Sequence, residues 1–190
     1  CRQKIKEALK IIMSNDEKKL NNFIQNFREE FMMMSPEEIA FPRSVNKVSD
    51  YSSFDGSGVF NMETGQVVNK RIKLFTKGTP LHTKGAVLYN FLVDKNKLGN
   101  KYPQIQDGDK IKFLYLIEPN SFLSSAFSFM TKFPKEFNNK FSMDYSKQFD
   151  KAFIEPLRFI TDKLHWHLKS DKIGTLEDFF WCTLNKSIYY

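Results

Sequence analysis

A change of apolar period along the chain constrains the fold most. Ile5, Ala8, Leu9, Ile12 and Met13 recur at helical spacing, which predicts one helix over residues 2–13. Leu20, Phe23, Ile24, Phe27 and Phe31 form a second stripe, so residues 1–34 are expected to make a helical hairpin with a Phe-rich seam. Ser14 and Glu17 have the S-x-x-E spacing of a capping box for that second helix. A third stripe, Tyr145, Phe149, Phe153, Leu157, Ile160 and Leu164, predicts the longest helix over 143–168, and Pro156 should kink or interrupt it. Between the stripes the period falls to two. Lys110-Ile111-Lys112-Phe113 alternates before becoming apolar, as a half-buried strand does, and Ala126 to Met130 is its expected partner. The fold class read from these periods is α+β, with long helices and a small, mostly antiparallel sheet.

The intervening segments carry turn chemistry. Ser35-Pro36-Glu37-Glu38 opens a short turn, and residues 39–51 read as extended or irregular. Residues 52–66 are rich in Gly, Ser and Asp and read as a surface loop, with a strand expected from Val67 to Phe75. Thr79 as cap and Pro80 at the first helical position should start a helix that places Leu81, Gly85, Leu88 and Leu92 on one face. Gln106-Asp107-Gly108-Asp109 is a turn.

With 190 residues, 41% hydrophobic and 15% aromatic, the chain has material for a packed core and is not a disordered segment. No apolar run approaches the roughly 20 residues of a membrane helix. The first residues are charged rather than leader-like. Two cysteines, Cys1 and Cys182, stand at opposite ends, and a reduced intracellular compartment is the simplest expectation. The chain opens on Cys within a helical pattern, so a fragment of a longer polypeptide is expected.

Charge is concentrated. Residues 70–112 hold ten Lys/Arg against three acids, an excess equal to the +7 of the whole chain; elsewhere the two signs cancel. A local excess of this kind builds a polyanion-binding surface. Within it, Lys77-Gly78-Thr79-Pro80-Leu81-His82-Thr83-Lys84-Gly85 enters a helix, where free amides and a positive dipole end favour a phosphate. Gly78 and Gly85 would permit close approach of another backbone, Lys77, His82 and Lys84 would add donors, and one phosphate there would explain the cluster. Catalytic patterns are not evident. The D-x-D of Asp107 and Asp109 sits in a turn, Gly56-Ser57-Gly58 lacks the rest of a phosphate loop, and His165-x-His167 reads as a helix end. No zinc spacing occurs.

Several long segments resemble one family. KGTPLHTKGAVLYN (77–90), KYPQIQDGDKIKFLYL (101–116) and MDYSKQFDKAFIEPLRFI (143–160) are similar to the C-terminal part of family B DNA polymerases of T-even-type phages and their marine relatives, with EEIAFPRSVN (37–46) and TLEDFF (175–180) in the same order. The resemblance implies the end of the palm at 1–34, a thumb domain at 35–172, a clamp-binding motif at 173–180 and an extra tail at 181–190. It implies that Lys84, in an element with His82 and Gly85, faces the backbone of primer–template duplex DNA, as do Lys77, Lys151 and Asn46. Such contacts position the duplex and carry little sequence information. Two positions depart: Asp50 stands where relatives often have Lys, and Glu155 where a polymerase of this group has Lys.

Ile173 to Phe180 resembles a sliding-clamp-binding box, with Leu176, Phe179 and Phe180 as anchors and Ile173 in place of the usual Gln. The expectation is a non-catalytic thumb portion of a replicative DNA polymerase acting in the host cytoplasm. Its implied partners are duplex DNA, the sliding clamp and the palm, fingers and exonuclease of the polymerase. The chain itself should hold no cofactor; Mg²⁺ is expected in the palm, with the nucleotidyl-transfer carboxylates. The alternatives are an independent basic nucleic-acid-binding protein and a separate subunit of a split polymerase.

Overall fold

Each apolar stripe becomes helix, and the alternating segment becomes the middle of a sheet. The computed structural model describes residues 1–48 and 78–168, together with the backbone of two short strands at 59–61 and 66–68. The observed class is α+β, as the periods predict.

Helices α1 (Arg2–Met13) and α2 (Glu17–Met32) form the hairpin. Lys4 Nζ lies 2.6 Å from Glu30 Oε2, tying the start of one helix to the end of the other. The capping box expected at Ser14 and Glu17 is not there. Ser14 is used by α1, its hydroxyl donating to the Ile11 carbonyl at 2.7 Å, and Asp16 caps α2 by accepting from the Lys19 amide at 2.9 Å. The box lies one helix later. The Glu38 carboxylate accepts from both the amide and the hydroxyl of Ser35, each at 2.8 Å, and closes the single-turn α3 (Pro36–Ile39). Those bonds hold the Glu38 carboxyl below the usual carboxylate range.

Strand β1 (Phe41–Ser44) follows directly. Strands β2 (Val59–Asn61) and β3 (Gln66–Val68) pair antiparallel, so part of the expected 52–66 loop is strand. The rest of the 67–75 expectation lies outside the described residues. Helix α4 (Leu81–Lys95) begins one residue later than predicted, with Pro80 in the cap position and Thr79 buried. Strands β4 (Lys110–Tyr115) and β5 (Ala126–Phe129) complete a three-stranded antiparallel sheet in the order β1-β4-β5. Phe41 pairs with Phe113, and Phe113 with Ser128. The pairing runs on past β4 through a bridge between Leu116 and Met143.

The expected long helix is broken. Helix α5 (Tyr145–Phe149) passes into a π turn at Asp150–Ile154, then α6 (Glu155–Thr161) and a 3-10 turn (Asp162–Leu164) that stops at left-handed His165. Pro156 has no amide for the carbonyl four residues back, and its ring would clash with that carbonyl. In the turn just before it, the Glu155 amide bonds the Asp150 carbonyl, five residues back. Phe149, Phe153 and Leu157 are buried, whereas Leu164, at the end of the stripe, is exposed.

Phenylalanine builds the core. Phe27 and Phe31 of α2 meet Phe149 and Phe153 with ring centroids 4.8–5.6 Å apart. A second group sets Phe127 of β5 against Phe133, Phe137 and Phe141. Buried Gln148 joins three elements: its Oε1 accepts from the Tyr115 amide at 3.1 Å, and its Nε2 donates to the Ile39 carbonyl at 2.8 Å.

Candidate nucleic-acid interface

Paired residues of an antiparallel sheet share a face. The register therefore puts Phe41, Arg43, Ile111, Phe113, Tyr115 and Ser128 on one side. Helix α4 meets that side at its first turn, where the Ser128 hydroxyl donates to the His82 carbonyl at 2.8 Å. The contact depends on Gly85. A Cβ there would stand 2.4 Å from Ser128 Oγ and 2.6 Å from its amide nitrogen, so only glycine lets helix and strand meet. The backbone that approaches Gly85 is thus the protein's own. Gly85 is buried and seats α4 on β5.

That seating brings the His82 ring to 6.2 Å from Phe113. Burial, and next the Arg43 guanidinium, push the imidazole below its ordinary pKa, so His82 is neutral at pH 7. Tyr115 continues the aromatic row, with its ring 5.9 Å from Phe113 and 6.3 Å from Phe41. Lys147 Nζ lies 5.1 Å from the Tyr115 ring centroid. Lys151 is close enough to Tyr115 to feel it electrostatically, although its main partner is Glu155, at 2.5 Å. That ion pair raises the Lys151 pKa and keeps it charged. An aromatic row thus links His82 and Arg43 at one end to Lys147 and Lys151 at the other. Half-buried Lys84 lies in the first turn of α4 beside His82.

Asn46 is exposed on the segment that follows β1. The Val45 amide donates to the Asp109 carbonyl at 3.0 Å, and the Gly108 amide to the Val45 carbonyl at 2.8 Å. Asp107 Oδ1 accepts from the Val48 amide at 2.7 Å, and Asp109 Oδ2 from the Gln106 amide at 2.7 Å. Both carboxylates of the D-x-D therefore hold a turn, as the sequence predicts, and that turn pins Asn46 and left-handed Lys47 at the surface. No group of residues able to hold a metal ion occurs among the described residues.

The described cations of the basic segment do not gather at one place. Lys84 and Lys95 lie in the first and last turns of α4, about 16 Å apart along the axis. Lys101 pairs with Glu136, and Lys112 donates to the Glu37 carbonyl at 3.0 Å. The Lys84 amide bonds the Pro80 carbonyl at 2.9 Å, so it is not a donor for an anion. Tertiary structure regroups the cations, and the interface recruits Arg43 and Lys147 from outside the basic segment. Sequence reasoning missed both as site residues. Arg43 stands in the same P-R-x-V-N element as Asn46, and Lys147 one helical turn before Lys151, the two signals that pointed to them. Lys77, Leu176, Phe179 and Phe180 lie outside the described residues.

The described unit is mixed α+β, with Arg43, Lys147 and Lys151 set around the aromatic row of its sheet. The chain is similar to the DNA-directed DNA polymerase of Enterobacteria phage T4, with 24% identity over 157 residues, 80% of this chain and 15% of the polymerase. It therefore spans about one seventh of that relative's length. No protein-family profile matches the chain.

Proposed function

We propose that this chain is the thumb portion of a phage replicative DNA polymerase, gripping the backbone of the primer–template duplex. One observation carries the reading: Arg43, His82, Lys147 and Lys151, drawn from three separate segments, border one aromatic row on the sheet. The distant polymerase similarity supports it. So does the placement of cations along a face rather than in a pocket, since backbone gripping needs several separate phosphate contacts and no base reading. Residues 1–34 would be the base of the thumb, 35–172 its body, 173–180 a clamp-docking box anchored by Leu176, Phe179 and Phe180, and 181–190 a tail. Mg²⁺ and the nucleotidyl-transfer chemistry would belong to the palm.

The test is binding of a labelled primer–template duplex by the full chain across a salt series. Phosphate gripping predicts a steep fall of affinity with salt. Arg43→Ala, Lys84→Ala and Lys151→Ala should each make the logarithmic slope shallower by roughly one unit. No binding at low salt, or slopes that these variants leave unchanged, would reject the reading. A second arm presents the sliding clamp, where Phe180→Ala should abolish capture; capture that survives it would remove the clamp from the proposal.

A further inference from the structure

Lys151 lies in the π turn and Glu155 just after it, and their ammonium and carboxylate meet at 2.5 Å. Both side chains stay open to solvent, 41% and 48% exposed. The neighbouring ion pair is of another kind. Arg28 is 12% exposed, lies against the Phe149 ring and holds Asp150 at 3.2 Å, so it fixes the turn to the hairpin. Asp150 therefore has its own partner, and Lys151 feels it more weakly than it feels Glu155.

A carboxylate oxygen on an ammonium stands where a phosphate oxygen would stand, since both are anionic acceptors of the same charge-assisted hydrogen bond. An anion thus already sits at the end of the aromatic row where Lys147 and Lys151 reach Tyr115. An exposed pair four residues apart is weakly held. Lys151 can therefore exchange one anion for another, whereas Arg28 is kept on its ring.

We propose that Glu155 is an internal counterion that competes with duplex phosphates for Lys151 and so sets how tightly this end of the row holds DNA. The proposal rests on the duplex-binding reading above and deepens it by naming a residue that tunes it. A phosphate reaching Lys151 must displace the Glu155 carboxylate or lie beside it, and either lowers affinity. A lysine that releases a phosphate has a partner waiting, so the contact is an exchange between two anions. The competition is electrostatic and exposed, so added salt screens it.

The test is a double-mutant cycle in the full chain, with Glu155→Gln, Lys151→Ala and the two combined, titrated with the labelled primer–template duplex across a salt series. Glu155→Gln should tighten binding roughly three- to tenfold at low salt, with the gain narrowing as salt rises. In the Lys151→Ala background the gain should be roughly twofold smaller, because no ammonium is left to compete for. Glu136→Gln is the matched control: it too takes a carboxylate from a lysine, Lys101, away from the aromatic row. It should change affinity by less than about twofold. No gain in Glu155→Gln, while the wild type binds, would overturn the competitor and leave the phosphate-gripping reading standing. An equal gain in Glu136→Gln would reduce the effect to net charge, and an equal gain without Lys151 would reduce it to plain repulsion; either overturns the proposal. Failure of the wild type to bind duplex at low salt would reject the underlying reading and this proposal with it.

Discussion

Gly85 shows how much one residue carries. Its missing side chain is the space in which Ser128 sits, so Gly85→Ala places a carbon against backbone that cannot move aside. Overpacking of this kind costs about 1–3 kcal/mol. Chemical denaturation should show that loss, and His82, no longer seated over Phe113, should show a changed imidazole titration. Glu136 offers a second residue-level check. Its carboxylate accepts from Lys101 and from the Tyr102 hydroxyl, and these bonds lower its pKa to about 2. Because the folded value lies below the ordinary 4.5, the stabilising contribution is complete above about pH 4.5 and is lost as pH falls toward 2. A carboxyl titration followed by NMR should place the midpoint near 2, and Lys101→Met should raise it. A midpoint near 4.5 in the intact chain would exclude the clamp formed by these three side chains. The D-x-D pair was legible at this scale from sequence, because Gly between two Asp is turn chemistry. The Asp16 cap was not, because the choice between Ser14 and Asp16 depends on where α1 stops.

Among elements, helix and strand periods were read correctly wherever a single face is buried. The stripes of α1 and α2 and the alternation of β4 are local signals, and the buried residues of both helices fall on those stripes, although Met13, at the end of the α1 stripe, is exposed. The 143–168 segment was only half legible. Pro156 announced an interruption, but its form, a π turn beginning at Asp150, follows from contacts outside the helix. Arg28 of α2 lies 4.6 Å over the Phe149 ring and 3.2 Å from Asp150, holding the turn from the hairpin side. Gln148 holds it from the sheet side. Replacing Gln148 by Leu would leave the Tyr115 amide and the Ile39 carbonyl without their partner in the core. The expected cost is about 2–4 kcal/mol in denaturant unfolding. A change within a few tenths of a kcal/mol would show that this tie does not join the elements. The same variant should weaken duplex binding, because Lys147, Lys151 and Tyr115 depend on that junction for their spacing.

For the whole molecule, the basic segment and the basic surface are different objects. The sequence concentrates its excess charge at 70–112, yet Lys84 and Lys95 stand at opposite ends of α4, and Lys101 and Lys112 engage the protein itself. Arg43, Lys147 and Lys151, which complete the face, come from stretches with no excess. Sequence by itself determined the α+β class, the helical hairpin, the sheet partners β4 and β5, the turn role of Asp107 and Asp109, and the likeness to a phage polymerase. These rest on local periods, turn chemistry and segment order, all written within a few residues. Only the tertiary structure decided which cations border the aromatic row and why Gly85 is buried rather than exposed. Those depend on sheet register and helix seating, and a register is set by contacts between residues tens of positions apart.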